Sequence, residues 1–118
     1  LDKAPKNVTA NFALFFTLHL PHFFGFRMAD NFNSENRFLD LQEGNFTDHQ
    51  PTHPHFMDGI PAELTAQLLK VMQPFELEEF KLNQEIRRSL LLKYLEYYAL
   101  HIPDFGQMKT LIVLHEVL

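Results

Sequence analysis

The segment that follows Asn83 constrains the fold most, because its apolar residues recur at steps of three and four. That spacing places them along one side of an α-helix. The residues concerned are Ile86, Leu90, Leu91, Tyr94, Leu95, Tyr97 and Tyr98. Asn83 can cap the first turn, since its side-chain oxygen can accept a backbone N–H. The pattern predicts a helix from Asn83 to about Leu100 and a fold that is mainly α.

Three further segments are predicted to be helical. The first begins within residues 7–9 and carries apolar residues nearly all round, which is typical of a central, buried helix. Pro21 should bend or end it, because proline lacks the amide that a helix interior needs. A second helix begins at Pro61 and is limited by Pro74, and a third covers about 107–117. Together these segments predict a domain of about four helices.

The segment 27–58 interrupts the helical pattern. Residues 37–41 alternate partly between apolar and polar, and Gly44 lies in the turn that precedes residues 45–47. This arrangement predicts a short β-hairpin between the two stretches. Residues 48–55 are rich in His and Pro and are predicted to form a loop. The sequence therefore predicts a small helical domain with a hairpin-and-loop insert at 27–58.

Size and composition narrow the class of protein. A chain of 118 residues, 46% of them hydrophobic, is expected to form one domain with a real core. The net charge of −5 argues against a DNA clamp, because phosphates are bound by clustered Lys and Arg. The absence of cysteine excludes disulfides and thiolate zinc sites, and it fits a reducing cytoplasm. The longest apolar run, residues 12–26, is interrupted too often for a membrane span. Because the chain begins at Leu1, we expect it to be a fragment of a longer protein.

No catalytic motif is apparent in the sequence. There is no Gly-x-Ser-x-Gly motif, and the four glycines are too isolated to form a phosphate-binding loop. Glu78 and Glu79 are adjacent and would point in different directions on a helix or turn, so they are read as solvated. The sequence therefore predicts a protein that acts by binding and is not an enzyme.

Basic residues in the last third of the chain are candidate contacts for a partner or for DNA. They are Arg87, Arg88, Lys93 and Lys109. Lys109 lies early in the last predicted helix, where the helix dipole disfavours a cation. The alternative is that these side chains are solvated or paired within their helix, Arg88 with Glu85 three residues away. Lys93 has the same spacing to Glu96.

Two other groups of side chains are weaker candidates. Phe12, Phe15 and Phe16 could line a groove for an apolar peptide, although a stripe of Phe at helical spacing more often belongs to the core.

His49, His53 and His55 have spacings that can surround a metal ion. The stronger expectation is an exposed loop, because no cysteine is present and Pro51 and Pro54 favour an extended chain. No cofactor is therefore predicted, and these three residues remain only weak candidates for metal ligands.

The order of the motifs resembles one family. The predicted helix at 83–98 leads into residues 101–105, and a Met-Lys-Thr step at 108–110 opens the last helix. Upstream, a Phe-Gly-Phe step at 24–26 closes the first helix and precedes the hairpin at 38–46. The same order is found in RecO proteins, which mediate DNA repair and recombination. Over nearly its whole length the chain is similar to the RecO C-terminal domain.

The resemblance implies a helical domain with a zinc-finger-like insert, preceded in the whole protein by an OB-fold barrel that this fragment lacks. It implies a non-catalytic mediator that works with RecR, and often RecF, to load RecA onto single strands coated by SSB. Single-stranded DNA would be bound mainly by the OB-fold domain, and the acidic, apolar SSB tail would dock on the helical domain. The protein would lie in the bacterial cytoplasm, at the nucleoid, with no membrane contact.

The chain departs from the family in two ways. Many RecO proteins carry zinc-binding cysteines in the stretch that matches 27–58, and their absence implies a zinc-free insert. Relatives that hold the SSB tail have arginines at the start of the first helix, whereas residues 7–12 contain none. The alternative function is a metal-binding or a generic protein-interaction helical domain.

Overall fold

The computed structural model describes residues 6–103 and residue 105, and within them the fold is mainly α, as predicted. The α-helices are α1 (Lys6–His19), α2 (Pro21–Phe24), α3 (Gly59–Leu69) and α4 (Gln84–His101), and a 3-10 helix covers Pro74–Glu79. The predicted helix at 107–117 lies outside the described residues, as does Lys109 within it. Among the described helices, none is both long enough and apolar enough to cross a bilayer.

Helix α4 begins as the sequence predicts. The side-chain oxygen of Asn83 accepts the backbone N–H of Ile86 at 2.8 Å, which satisfies one of the free amides of the first turn. Further along, α4 buries Leu90, Leu91, Tyr94, Leu95, Tyr97 and Tyr98. The helix predicted from apolar spacing is therefore confirmed, and its buried side forms the centre of the core.

Two buried tyrosines join α4 to neighbouring helices. The hydroxyl of Tyr94 lies 2.8 Å from the hydroxyl of Thr65 in α3, and the hydroxyl of Tyr98 donates to the carbonyl of Thr17 in α1 at 2.8 Å. These bonds satisfy polar groups that would otherwise be buried without a partner. They fix which sides of α1 and α3 contact α4.

Other side chains of α4 hold the segment that follows α2. Tyr97 donates its hydroxyl hydrogen to the carbonyl of Phe26, and His101 Nε2 donates to the carbonyl of Leu41 at 2.9 Å. Gly44 packs against the same tyrosine, since a Cβ there would lie 3.0 Å from the Tyr97 hydroxyl oxygen. Its φ of +73° also favours glycine. The hairpin turn therefore packs directly against α4.

Helix α1 differs from the prediction of a central helix that is apolar nearly all round. Its buried residues are Asn11, Leu14, Thr17 and Leu18. The Asn11 amide donates to the carbonyls of Leu77 at 3.2 Å and of Phe80 at 2.6 Å, which allows a polar residue to occupy the core. Phe12 and Phe16 consequently point outwards. The apolar pattern predicted the helix correctly but not its orientation.

The chain turns near Pro21, as predicted. Helix α1 ends at His19, α2 starts at Pro21, and Gly25 follows with a left-handed φ of +83°. This short second helix carries two aromatic side chains, Phe23 and Phe24, on the outside of the molecule. The exposed aromatic surface that begins on α1 therefore continues past the turn.

The predicted hairpin is present and has one additional strand. Strand β1 (Phe38–Asp40) pairs antiparallel with β2 (Asn45–Thr47), and Leu39 lies opposite Phe46. Strand β3 (Phe56–Met57) pairs with the other edge of β1, which gives the order β2-β1-β3. The sequence did not predict β3, because two residues are too few to show alternation.

The insert segment at 27–58 is held together around one carboxylate. The Oδ1 atom of Asp40 accepts the backbone N–H groups of Gln42 at 2.9 Å and Glu43 at 3.1 Å. The same oxygen accepts a hydrogen bond from His53 Nε2 at 3.0 Å. Because the Asp40 side chain is largely buried, these donors replace the water that it loses. The carboxylate thus joins the hairpin turn to the His/Pro loop.

We expect removal of this carboxylate to destabilise the chain strongly. Asp40→Ala leaves three donors without their acceptor, two of them in a tight turn, and should lower the free energy of unfolding by ~2–3 kcal/mol. Urea unfolding followed by circular dichroism measures the loss. Asp48→Ala is the matched control, because Asp48 is exposed and contacts only His49 among the described residues. A midpoint for Asp40→Ala equal to that of the control would contradict the role of Asp40.

We expect alkali to unfold the chain before its tyrosines ionise freely. Burial raises the pKa of Tyr97 and Tyr98 from 10.0 to about 12, and burial also raises the pKa of Tyr94. Because these folded-state values lie above the unfolded value, the stabilisation is complete below pH 10.0 and is lost as the pH rises towards 12.

The measurement is an alkaline titration in which tyrosinate absorbance and far-ultraviolet circular dichroism are recorded on the same sample. The chain has only three tyrosines, all in α4, so no exposed tyrosine masks the signal. Both signals should change together. Complete ionisation near pH 10 with the helices intact would show that these hydroxyls are not held as described.

Candidate functional site

A small groove, which we call the basic groove, runs between the middle of α1 and the first two turns of α4. Its volume is about 70 Å³. It is lined by Ala10, Ala13 and Leu14 of α1 and by Gln84, Arg87, Arg88 and Leu91 of α4. The two alanines have short side chains, so the floor of the groove is apolar and lies close to the helix backbone. The α4 side of the groove therefore carries two cations, and the α1 side is apolar.

The two arginines of the basic groove differ in their exposure and in their contacts. Arg87 is half-buried, and its guanidinium donates to the carbonyl of Leu82, just before α4. Arg88 is exposed and makes no ion pair with any carboxylate of the described residues, although Glu85 lies three positions away. The pairing considered for Arg88 is thus not formed. Its charge is available to a partner.

Lys93 does not join this groove. Its ammonium lies 3.4 Å from Glu96 Oε1, which is the pairing that the sequence spacing allowed. The other oxygen of that carboxylate lies 2.9 Å from His55 Nδ1, so Glu96 bridges α4 to the insert segment. We therefore read Lys93 as part of a structural contact. Of the three predicted basic residues that the structure describes, Arg87 and Arg88 come together at this groove and Lys93 does not.

The predicted phenylalanine stripe lies on the opposite side of α1 from the basic groove. Phe12 is 45% exposed and Phe16 is 51% exposed, whereas Phe15 is half-buried. The ring centroid of Phe12 lies 6.0 Å from that of Phe15 and 6.2 Å from that of Phe16. The expectation that these three residues are simply core is wrong for Phe12 and Phe16. Their side of α1 is available for contact.

A larger groove, the aromatic groove, opens beside this stripe and has a volume of about 450 Å³. It is lined by Phe15, Phe16, His19, Leu20, His22, Phe23, Leu69, Val71 and Met72. Phe12 does not line it. The residues after α3 were not predicted as site residues, because nothing in their own sequence indicates that they face α1. Phe23 could have been identified from its place beside Pro21, where the helix must turn.

A second cavity, the polar pocket, adjoins the aromatic groove and shares His19, His22 and Leu69 with it. Its volume is about 230 Å³, and Arg27 and Asp30 also line it. The guanidinium of Arg27 lies 3.4 Å from His22 Nδ1. Arg27 is not among the site residues predicted from the sequence, because a single arginine in the segment 27–58 belongs to no recognisable motif.

The three histidines of the His/Pro loop do not converge. His49 is exposed and pairs with Asp48, and the resulting hydrogen bond lowers the pKa of that carboxyl group. His53 has both ring nitrogens engaged, since Nδ1 accepts the backbone N–H of His55 at 3.1 Å and Nε2 donates to Asp40. Neither nitrogen of His53 therefore offers a lone pair to a metal.

Curated relatives from several bacteria match the chain. The DNA repair protein RecO of Azobacteroides pseudotrichonymphae is 34% identical over 117 residues, which are 99% of this chain and 48% of that protein. RecO of Bacteroides fragilis is 33% identical over 110 residues, which are 92% of this chain and 45% of that protein. RecO of Christiangramia forsetii is 33% identical over 118 residues, which are 99% of this chain and 47% of that protein. The chain belongs to the RecO family.

The chain spans about half the length of the RecO relatives it matches. No family model matches it, and no solved structure does. The resemblance seen in the order of sequence motifs is confirmed by these relatives.

We expect zinc to leave the stability of this RecO domain unchanged. Nowhere in residues 6–103 do three or more His, Asp or Glu side chains surround a common point where a metal could bind. The midpoint of thermal unfolding should be the same with one equivalent of zinc and with EDTA, in protein free of any purification tag. A rise of several degrees with zinc, abolished by His55→Ala, would instead identify a metal site.

Proposed function

We propose that this chain is the partner-binding helical domain of a RecO mediator in DNA repair and homologous recombination. In this role it acts without catalysis and supports RecA loading onto SSB-coated single-stranded DNA through contacts with RecR and SSB. Family membership supports the repair role. The basic groove supports the contact with SSB, because its chemistry matches an acidic and apolar peptide.

The single observation that carries the SSB contact is the position of Arg87 and Arg88. In the relatives that hold the SSB tail, the resemblance implies arginines at the start of the first helix, and residues 7–12 have none. The structure brings two arginines of α4 against Ala10 and Ala13 of that same helix. Cations from a different helix therefore lie beside α1 at Ala10, which is within the stretch 7–12.

The basic side and the apolar side of the groove match the acidic and the apolar residues of such a tail. A carboxylate forms its strongest contacts with a guanidinium, which offers several N–H donors in a fixed plane. Arg88 is exposed and has no carboxylate partner within the described residues, so no existing ion pair must be broken. The alanine floor admits an apolar side chain close to the backbone. The groove is small, which fits the end of a peptide better than a folded surface.

We expect a peptide with the sequence of the SSB C-terminus to bind the chain and to depend on Arg88. Arg88→Glu replaces attraction by repulsion and should weaken binding about tenfold or more, with the remaining affinity less sensitive to salt. Fluorescence anisotropy of the labelled peptide measures both effects. Arg87→Glu should weaken binding as well, but it also removes the bond to Leu82, so its folding must be checked by circular dichroism.

The control is Arg37→Glu, which makes the same charge change at an exposed residue that lines neither groove. Because it also breaks the ion pair with Glu63, its folding is checked by circular dichroism. It should leave peptide affinity unchanged. Equal affinity for the unaltered chain, Arg87→Glu and Arg88→Glu would remove both arginines from the SSB site.

Direct DNA contact by this domain is the second candidate. The observation in its favour is that two adjacent arginines lie at one groove. Two observations count against it: Lys93 is paired with Glu96, and the chain carries a net charge of −5. A labelled single-stranded oligonucleotide in the same assay decides between the candidates. Binding that falls steeply with salt and is lost in Arg88→Glu would favour DNA.

A further inference from the structure

The aromatic groove is an exposed apolar surface that the proposed SSB contact does not use. Phe23 at its edge is 78% exposed, and Met72 on the other side is 81% exposed. Side chains of this type are normally buried, and their concentration around one groove marks a surface that binds a partner. The groove and the basic groove lie on opposite sides of α1, so one short peptide cannot fill both.

The hydrogen-bonding groups at one end of the aromatic groove are donors. His19 Nε2 donates to the carbonyl of Leu68 at 3.1 Å, which fixes that ring. His22 Nδ1 lies 3.4 Å from the Arg27 guanidinium and can only accept from it, so the hydrogen of a neutral His22 ring is on Nε2. The His22 Nε2–H and the remaining N–H groups of Arg27 are therefore free to donate to a ligand.

The charge of this end is positive, although the chain as a whole is negative. Arg27 is the cation that lines the polar pocket, and Asp30 is the carboxylate that lines it. The Asp30 carboxylate is paired with Lys70, whose ammonium lies 2.8 Å away. No carboxylate of the described residues forms an ion pair with Arg27. An anionic group would thus be attracted to the point where the two cavities meet.

We propose that the aromatic groove and the polar pocket together bind a partner protein through a short acidic peptide. A bulky apolar side chain of the peptide inserts between Phe16, Phe23 and Met72. A carboxylate next to it on the peptide accepts hydrogen bonds from Arg27 and His22. This site is separate from the basic groove and goes beyond the proposed contact with SSB.

A peptide fits this surface better than DNA or a second copy of the chain. One guanidinium and one imidazole match a single carboxylate, whereas a DNA strand would need several unpaired cations along its backbone. A second copy related by two-fold symmetry would bring the same positive end to its own interface and gain no charge complementarity. The volume of about 450 Å³ accommodates one or two large side chains.

The test uses the full chain and two labelled, C-terminally amidated peptides in fluorescence anisotropy. The first peptide has Leu-Phe followed by Asp-Glu within a Gly-Ser frame, and the second has Lys-Lys in place of Asp-Glu. The acidic peptide should bind and the basic peptide should not. Arg27→Glu should weaken the acidic peptide about tenfold or more, because the strongest donor becomes a repelling charge. Phe23→Ser should weaken it about fivefold by removing apolar contact area.

Two control variants match these changes. Phe24→Ser removes an equally exposed phenylalanine of α2 that lines neither cavity, and Arg37→Glu reverses a charge elsewhere. Both should bind the acidic peptide like the unaltered chain. Because Phe23 and Arg27 are exposed, their variants should keep the circular dichroism spectrum and thermal midpoint of the unaltered chain.

Several outcomes would overturn the proposal. They are failure of the acidic peptide to bind, equal binding of the basic peptide, or unchanged affinity in Arg27→Glu and Phe23→Ser. Tighter binding of a single-stranded oligonucleotide, lost in the same two variants, would assign the surface to DNA. Sedimentation that shows a dimer abolished by Phe23→Ser would assign it to a second copy. Peptide binding that appears only after residues 107–118 are deleted would assign it to the chain's own C-terminal segment.

Discussion

Three tyrosine hydroxyls on α4 hold the other parts of the domain in position. Tyr94 contacts a threonine hydroxyl on α3, Tyr98 donates to a carbonyl within α1, and Tyr97 donates to the carbonyl of the residue after Gly25. A buried hydroxyl must find a partner, so each bond selects one arrangement of two elements over its neighbours. Since α1 forms a wall of both grooves, the geometry of both depends on α4.

Features that follow from local spacing were predicted from the sequence. The long helix α4 and the hairpin of β1 and β2 are set by apolar periodicity and by turn residues close to them in the chain. The orientation of α1 could not be predicted in the same way. It depends on Asn11, whose amide donates to carbonyls 66 and 69 residues further along. A rule that treats every Phe as core therefore misplaced Phe12 and Phe16.

The candidate sites were predicted only in part, because they too depend on contacts between residues that are distant in the sequence. Arg87 and Arg88 could be chosen by residue type. That Ala10 and Ala13 face them depends on contact between α1 and α4, which are far apart in the sequence. The sequence also could not decide which of two similar ion pairs forms. Lys93 pairs with Glu96, which also contacts His55 of the insert, whereas Arg88 forms no ion pair with Glu85.

The two grooves give α1 a double role. Its small residues face a basic wall, and its large aromatic residues face a surface beyond α2 and α3. A helix used on both sides can bring two partners within the width of one helix of each other. If both grooves bind as proposed, this arrangement allows two partners to be bound at the same time.

A hydrogen bond between a carboxylate and an imidazole joins the hairpin to the His/Pro loop, and the chain has no cysteine. Asp40 and His53 are not attacked by the peroxides that convert cysteine thiolates to sulfenic and sulfinic acids. Nor does their contact depend on how much zinc a cell can supply. The hydrogen bond between these two side chains would therefore persist in peroxide or in a zinc chelator, either of which disrupts a zinc–thiolate site.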